Sequence, residues 1–154
     1  MDATDRAIIE VLRVDGRISN VALADRVNLT PGPCLRRVQR LEADRVVVGY
    51  RAELDPDAVG QGFEVFLDVD LTSFDSGSVG RFESAMADRQ EVIELHRMFG
   101  SPDYIVRIAV ADRAEYEAFL TERVLTIPGI LKVASRFPMK TLKSLRSTVR
   151  RGRD

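Results

Sequence analysis

The sequence is poor in the residues that build disulfides, metal sites and membrane spans. Cys34 is its only cysteine and His96 its only histidine. One cysteine excludes an internal disulfide and fits a reducing cytoplasm, and a single Cys with a single His makes a metal cluster implausible. No apolar run is long enough to cross a bilayer, and the start MDATDRAII lacks the basic and apolar regions of a signal peptide. These absences favour a cytoplasmic protein without metal or other cofactor.

Motifs typical of enzymes are also missing. No serine or cysteine nucleophile lies in a recognisable motif, no glycine-rich loop cradles a phosphate, and no carboxylates are spaced for acid–base work. His96 falls in a predicted strand, where we expect a packing or interface role, with a pH sensor as the alternative. The sequence therefore predicts no catalytic residue.

Charge is nearly balanced in total but unevenly distributed. Residues 1–53 carry a net charge of +1, residues 54–139 carry −7 and residues 140–154 carry +5. An acidic middle repels phosphates, so it is excluded as a nucleic-acid surface, and only the N-terminal part, with the basic tail as a helper, has the charge for such a contact. A tail that is only solvated is the alternative, since chain ends usually are.

Residues 19–41, SNVALADRVNLTPGPCLRRVQRL, have the pattern of two short helices joined by a tight turn. Ser19 is a good N-cap, apolar residues follow at helical spacing, and the pattern breaks at Asn28. Thr30 is predicted to cap the second helix, with Pro31 at its first position, where a missing N–H costs nothing. A further helix precedes this pair, so the N-terminal part is expected to be a trihelical unit.

The second helix of the pair separates packed residues from polar ones. Cys34, Val38 and Leu41 share one face at about 100° per residue, so we expect Cys34 to be buried and inert. The opposite side and its flank carry Arg36, Arg37, Gln39 and Arg40. A DNA-recognition helix needs this division, because one face packs while the other enters a major groove. An ordinary solvated face is the alternative, but the preceding helix and the capped start favour DNA binding.

The N-terminal unit is expected to include a short β-wing or linker strand at residues 46–51. Arg51 is placed there to reach a phosphate, with a solvated linker arginine as the alternative. We divide the chain into a winged helix-turn-helix domain at 1–53, a linker at 54–62, a βαββαβ domain at 63–139 and a basic tail at 140–154.

The second half alternates strand and helix. Period-two and helical patterns predict, in order, strand 63–71, helix 79–89, strands 92–99 and 104–111, helix 113–126 and strand 130–138. The order βαββαβ is the ferredoxin-like arrangement, which makes the fold class α+β. Two helices cover one face of the sheet. The other face, with Phe66, Met98 and Ile105, is expected to be apolar and to pair with another subunit.

Four segments in the expected order resemble the Lrp/AsnC family of leucine-responsive, or feast/famine, transcription regulators. They are DGRISNVALADRVNLTPGPCLRRVQRLE at 15–42, GYRAELDP at 49–56, FGSPDYIVRIAV at 99–110 and IPGI at 127–130. The resemblance implies a winged helix-turn-helix joined to a ligand-sensing αβ sandwich. It also implies a homodimer that assembles further into dimers of dimers, with an octamer as one such form.

Two positions depart from the family pattern. Arg45 stands where relatives usually have a glycine just after the recognition helix, so this connection is expected to be rebuilt or strained. Ala22 stands where relatives often carry the acid of a capping box, so the second helix loses one reciprocal cap.

The loop FGSPDY at 99–104 resembles the family's effector loop, which binds free amino acids at subunit contacts. Gly100 would let backbone amides approach a carboxylate, Asp103 would hold the ammonium group and Tyr104 would close one wall. The alternative is an ordinary turn formed by Pro102 and Asp103. The effector residues implied are Arg97, Gly100, Ser101, Asp103, Tyr104, Arg113 and Arg136. Three arginines at positions that tune the response of relatives argue against leucine and favour an aromatic or acidic amino acid.

The function predicted is a sequence-specific transcriptional regulator whose DNA binding or assembly responds to an amino-acid-like effector. The alternative is an architectural DNA-bridging protein without an effector, which would show a steep salt dependence and little sequence preference.

Overall fold

The computed structural model describes residues 1–142 and divides them into two compact units. The first unit comprises Met1–Glu53, and the second begins at Leu54. Most of the basic tail expected at 140–154 lies outside the described residues. No helix within residues 1–142 combines the length and the apolar character needed to span a bilayer.

Three helices form the first unit: α1 (Ala3–Val14), α2 (Asn20–Arg26) and α3 (Pro31–Ala43). Their shared core contains the fully buried residues Ile8, Leu23, Ala24, Cys34 and Leu41. The predicted helix-turn-helix is therefore confirmed, together with the burial of Cys34. Ser19 caps α2 by accepting the N–H of Ala22 at 3.2 Å, and no acid at Ala22 returns the bond.

Helix α1 begins at Ala3, where two acidic residues cap it. The Asp2 carboxylate accepts the N–H of Asp5 at 2.8 Å, and the Asp5 carboxylate accepts the N–H of Asp2 at 3.0 Å. This reciprocal arrangement is a capping box with aspartate at both positions.

Helices α2 and α3 both end on a left-handed residue. Asn28 has a φ of 54° and Arg45 a φ of 57°. After α3, the N–H of Arg45 donates to the carbonyl of Glu42, and the N–H of Val46 donates to that of Leu41. These two bonds form a Schellman motif, which usually has glycine at the left-handed position. Of the two outcomes expected at Arg45, a rebuilt connection or a strained one, the structure shows the strained one. The turn usual for glycine is present with arginine at its left-handed position.

The strand expected at 46–51 does not form, so the prediction of a β-wing there is wrong. The N–H groups of Val46 and Val47 both donate to the Leu41 carbonyl, which removes them from any strand pairing. Tyr50 then anchors the segment, because its hydroxyl donates to Glu42 at 2.8 Å and its ring lies against Gly16. The segment starts with a bend at Val46 and Val47 and belongs to no sheet within the described chain.

The second unit confirms the predicted βαββαβ order. Its elements are β1 (Phe63–Leu71), α4 (Ser76–Ala87), β2 (Val92–Arg97), β3 (Tyr104–Val110), α5 (Arg113–Phe119) with a π-helical turn at Leu120–Val124, and β4 (Ile130–Arg136). The antiparallel sheet has the strand order β2-β3-β1-β4. Residues Val65, Leu67, Val69 and Leu71 of β1 are buried, as the alternation predicts, in one core with Phe82 and Met86 of α4 and Tyr116 and Phe119 of α5.

The face of the sheet opposite the helices is charged, which corrects the expectation of an apolar surface. Arg107 pairs with Glu64 at 2.7 Å and with Glu94 at 2.9 Å, and its guanidinium lies 5.9 Å from the centre of the Phe66 ring. Arg136 pairs with Asp68 on the same face. Phe66 and Ile105 are only partly buried and are separated by these ion pairs. Charged residues fill this face because β1 alternates acids with its core residues.

Candidate DNA-reading helix and effector loop

Helix α3 is held at both ends, and its middle is open to solvent. At its N-terminus, the Asn20 side-chain amide donates to the Pro31 carbonyl at 2.8 Å. Thr30 occupies the N-cap position as predicted, but its side chain makes no capping bond, which corrects its expected role. Thr30 and Pro31 are both exposed. The Schellman motif at Arg45 fixes the other end.

Arg36 and Gln39 lie on the exposed side of α3, opposite the buried Cys34 and Leu41. Neither side chain has an ion pair or hydrogen bond with another residue in the 1–142 range. Leu35 lies beside them and is 45% exposed. Considering residues 1–142, this strip therefore presents one unpaired cation, one unpaired amide and one apolar side chain.

Arg37 and Arg40 do not share this orientation, which corrects the prediction that Arg40 points away from the packed side. Arg37 donates to Asp2 at 2.7 Å and to Asp5 at 2.8 Å. Arg40 donates to both oxygens of the Asp5 carboxylate, each at 2.8 Å. The Asp5 side chain is only 1% exposed, so both arginines are drawn back to the start of α1 by a buried anion.

The pKa values of the two acids reflect these contacts. The Asp5 N–H and then Arg37 lower the pKa of Asp2 to about 2. The Asp2 N–H, with Arg37 and Arg40, lowers the pKa of Asp5 although burial opposes this. The same bonds raise the pKa of Arg37. The hydrogen bonds of Arg37 and Arg40 therefore join Asp2 and Asp5 of the α1 cap to α3 in one cluster.

Arg51 follows the anchored Tyr50 and is exposed, without an ion pair to any of residues 1–142. Burial and the bond to Glu42 raise the pKa of Tyr50 to about 12. The sequence patterns do not identify Tyr50 as a structural residue. The available signal is an aromatic residue directly after a glycine, which indicates a residue that anchors the segment. Its contacts determine where the backbone of Arg51 lies.

In the loop 99–104, Asp103 is already engaged by its own chain. Its carboxylate accepts the N–H of Leu71 at 2.8 Å, and its own N–H donates to Asp70 at 3.2 Å. Gly100 has a φ of 117°, in the region that favours glycine, and it is exposed together with Ser101. The loop is therefore tied to the end of β1, and one Asp103 oxygen has a backbone partner.

Tyr104 is fully buried and does not form a pocket wall, which corrects its expected role. Its hydroxyl donates to Glu83 at 3.0 Å, and its ring centre lies 4.6 Å from that of Phe82. Arg97 also pairs with Glu83 and lowers its pKa. Tyr104 and Arg97 thus belong to the layer between the sheet and α4.

The three arginines expected near the loop are not brought together within one chain. Arg97 lies on the helix-covered side of the sheet, whereas Arg136 lies on the opposite side beside Asp68. Arg113 begins α5, at the end of β3 away from the loop, and seven strand residues separate them by roughly 20 Å. A single pocket within one subunit therefore cannot contain all three.

Comparisons with known proteins match both units. An AsnC-type helix-turn-helix domain matches residues 1–42, and a Lrp/AsnC ligand binding domain matches residues 64–148. The Bkd operon transcriptional regulator of Pseudomonas aeruginosa is 37% identical, with 92% of this chain and 93% of that protein covered. The leucine-responsive regulatory protein of Escherichia coli is 36% identical, with 93% and 87% covered.

Solved structures agree with these sequence matches. A Neisseria meningitidis transcriptional regulator in complex with L-Met is 31% identical, with a TM-score of 0.88 over 94% of this chain and 93% of that one. An AsnC family regulator from Agrobacterium tumefaciens is 35% identical, with a TM-score of 0.87 and 94% of each chain covered. The predictions of a helix-turn-helix regulator and of a protein that is not an enzyme are confirmed. The chain belongs to the Lrp/AsnC family of DNA-binding transcription regulators.

Proposed function

We propose that this regulator reads double-stranded DNA with the exposed strip of α3. One observation carries the proposal: Arg36 and Gln39 are neighbours on that strip and have no partner among residues 1–142, while Cys34 and Leu41 bury the opposite face. In a major groove, arginine pairs bidentately with guanine and glutamine pairs with adenine. The strip thus supplies two side chains that distinguish base pairs.

Contacts to the DNA backbone are expected beside this strip. The Thr30 hydroxyl is exposed and unused in capping, so it is free to donate to a phosphate at the N-terminus of α3, near Pro31. Arg51 supplies a second phosphate contact, since it is exposed and its backbone follows the anchored Tyr50. These contacts fix the register of the protein on the duplex without reading sequence.

The test compares Arg36→Ala with Arg13→Ala on two duplexes. Arg13 pairs with Glu10 on the surface of α1, so its removal changes the net charge equally without touching α3. One duplex is selected by the wild-type protein from a random pool, and the other has the same composition in scrambled order. Arg36→Ala should lose about 1–3 kcal/mol more on the selected duplex than on the scrambled one. Equal losses would contradict base reading and would favour the architectural role.

We propose further that the second unit responds to an amino acid bound at the loop 99–103. The support is the exposed Gly100, whose backbone permits close approach of a carboxylate, and the one Asp103 oxygen without a backbone partner. A relative seen with L-Met and relatives named leucine-responsive support an amino-acid ligand. Since Arg97 and Arg136 lie on opposite sides of the sheet, a second copy of the chain must complete the site if both contribute.

The effector proposal is tested with a thermal-shift screen of the twenty amino acids. Asp103→Asn keeps an oxygen that accepts the Leu71 N–H but loses the charge that holds an ammonium group. Asp88→Asn, at the end of α4, is the matched control. We expect a ligand that stabilises the wild type and Asp88→Asn and not Asp103→Asn. A ligand that stabilises all three equally binds elsewhere.

Assembly as a homodimer, and as dimers of dimers up to an octamer, stays a prediction, as does the cytoplasmic location. The support for assembly is the sheet face opposite α4 and α5, where Phe66 and Ile105 lie among ion pairs. Mass photometry of the full chain at micromolar concentration measures the assembly directly, and a monomer would contradict it.

A further inference from the structure

Among residues 1–142, Asp5 is the one carboxylate that is less than 2% exposed. Its carboxylate accepts hydrogen bonds only from α3 and from the cap of its own helix. One oxygen accepts from Asp2 and Arg40, and the other accepts from Arg37 and Arg40. A buried anion needs partners for both oxygens, and the arginines of α3 supply them. The pairs are therefore part of the packing of α1 on α3.

This cluster divides the basic residues of α3 into two groups. Arg37 and Arg40 already have a counter-ion at 2.7–2.8 Å, and moving either to DNA would leave a buried charge with too few partners. Arg36 has no ion pair within the described residues. Arg37 and Arg40 would have to break their ion pairs with Asp2 and Asp5 before contacting DNA, which opposes that contact. Arg36 has no such ion pair within residues 1–142 to break.

The cluster also sets the rotation of α3 about its own axis. Its ends are held by the bond from Asn20 to Pro31 and by the turn at Arg45. Between these points, the bonds from Arg37 and Arg40 to Asp5 define which side of α3 faces α1. Arg36 directly precedes Arg37, and Gln39 directly precedes Arg40. The directions of the Arg36 and Gln39 side chains therefore depend on that rotation.

We propose that Asp5 is a positioning residue for DNA recognition, that Arg37 and Arg40 act through it, and that Arg36 and Gln39 alone read base pairs by hydrogen bonding. This inference rests on the proposed DNA reading by α3 and names the specificity-determining pair within it. Arg37 and Arg40 contribute the orientation of the helix and contact no base.

The experiment uses the full chain, the selected duplex and a set of its single base-pair substitutions. Arg36→Ala and Gln39→Ala first identify the base pairs at which discrimination is lost. Asp5→Asn and Arg40→Gln should each lower affinity for the selected duplex about 10-fold, the equivalent of one misplaced bidentate contact. Both should weaken discrimination at those same base pairs and at no other.

Two further measurements separate positioning from direct contact. The double variant Asp5→Asn/Arg40→Gln should lose no more than the larger single loss, because both changes break one cluster. The dependence of log K on log salt should keep its slope in Arg40→Gln, whereas loss of a phosphate contact would reduce it by about 0.9. Arg13→Gln is the charge control.

The inference is overturned if Arg40→Gln relaxes a base pair that Arg36→Ala and Gln39→Ala leave intact, if its salt slope falls by one contact, or if the losses in the double variant multiply. If Asp5→Asn does not fold, Asp2→Asn replaces it, because asparagine keeps the N-cap while Arg37 loses a charged partner. Asp2→Asn should then weaken discrimination at those same base pairs. An unchanged Arg36→Ala variant would instead refute the proposed reading by α3 itself.

Discussion

Replacing Arg45 by glycine should stabilise the first unit. The φ of 57° at this residue costs an L-amino acid roughly 1–2 kcal/mol, and glycine removes that cost. Glycine also adds about 0.5–1 kcal/mol of unfolded-chain entropy, which acts in the opposite direction. The difference leaves a net stabilisation of about 0.5–1 kcal/mol.

The assay is amide hydrogen exchange of the full chain, followed in α3 and compared with β1 and β3 of the second unit. The stabilisation corresponds to roughly 2- to 5-fold slower exchange at the end of α3, where the Val46 N–H donates to Leu41. Arg45→Ala is the matched control, since it removes the same charge but keeps the left-handed strain. Equal exchange in the glycine and alanine variants would refute the reasoning.

Three further predictions concern the stability of the two units. The pKa of Asp2 is lowered from 3.8 to about 2 in the folded protein. Its stabilising effect is therefore present above about pH 4 and is lost as the pH falls towards 2. Stability followed by circular dichroism should depend less on acid pH in Asp2→Asn than in the wild type. Cys34 is fully buried and burial raises the pKa of its thiol, so a disulfide reagent should label it only as fast as the first unit opens, and rapid labelling of the folded protein would contradict this. Phe82→Ala should cost about 3–5 kcal/mol in chemical denaturation, because Phe82 is fully buried against Tyr104, whereas the half-exposed Phe74→Ala should change stability far less.

Much of the fold was predictable because it rests on short-range periodicity. The alternation along 63–71 identified the buried face of β1, and the turn and cap residues around α2 and α3 identified the helix-turn-helix. The segment 46–51, which forms no strand within the described residues, was not predictable in this way. Its apolar residues alternate weakly, and only the hydrogen bonds to Leu41 show that the backbone is already engaged.

The orientation of the long side chains of α3 was not predictable from helical periodicity. Helical periodicity gives the direction of each Cβ, but an arginine is long enough to turn towards a neighbouring helix. Nothing within α3 indicated that Arg40 would reach Asp5, since the acid lies 35 residues away in the sequence. The spacing of Asp2 and Asp5 was the available signal, because it marks the capping box that holds the carboxylate there.

The role predicted for Tyr104 was wrong although a pattern in the sequence indicated the correct one. Tyr104 continues the period-two series of Val106, Ile108 and Val110, which places it on the buried side of β3. The same rule places Arg97 with Leu95, on the side of the sheet that meets α4. Strand register therefore assigns Tyr104 to the core and Arg97 to the helix-covered side of the sheet, although the segment resembles an effector loop.

The ion pairs on the sheet face opposite α4 and α5 affect how that face can associate. The Arg107 side chain is only 14% exposed, because Glu64, Glu94 and the Phe66 ring already surround it. Most of the water around the Arg107 charge has therefore already been removed within the folded chain. Covering this residue with another protein surface removes little more, so the dehydration cost that normally opposes burial of arginine is small. Because Arg107 and Arg136 are neutralised by neighbouring acids, association through their part of this face should also vary little with ionic strength.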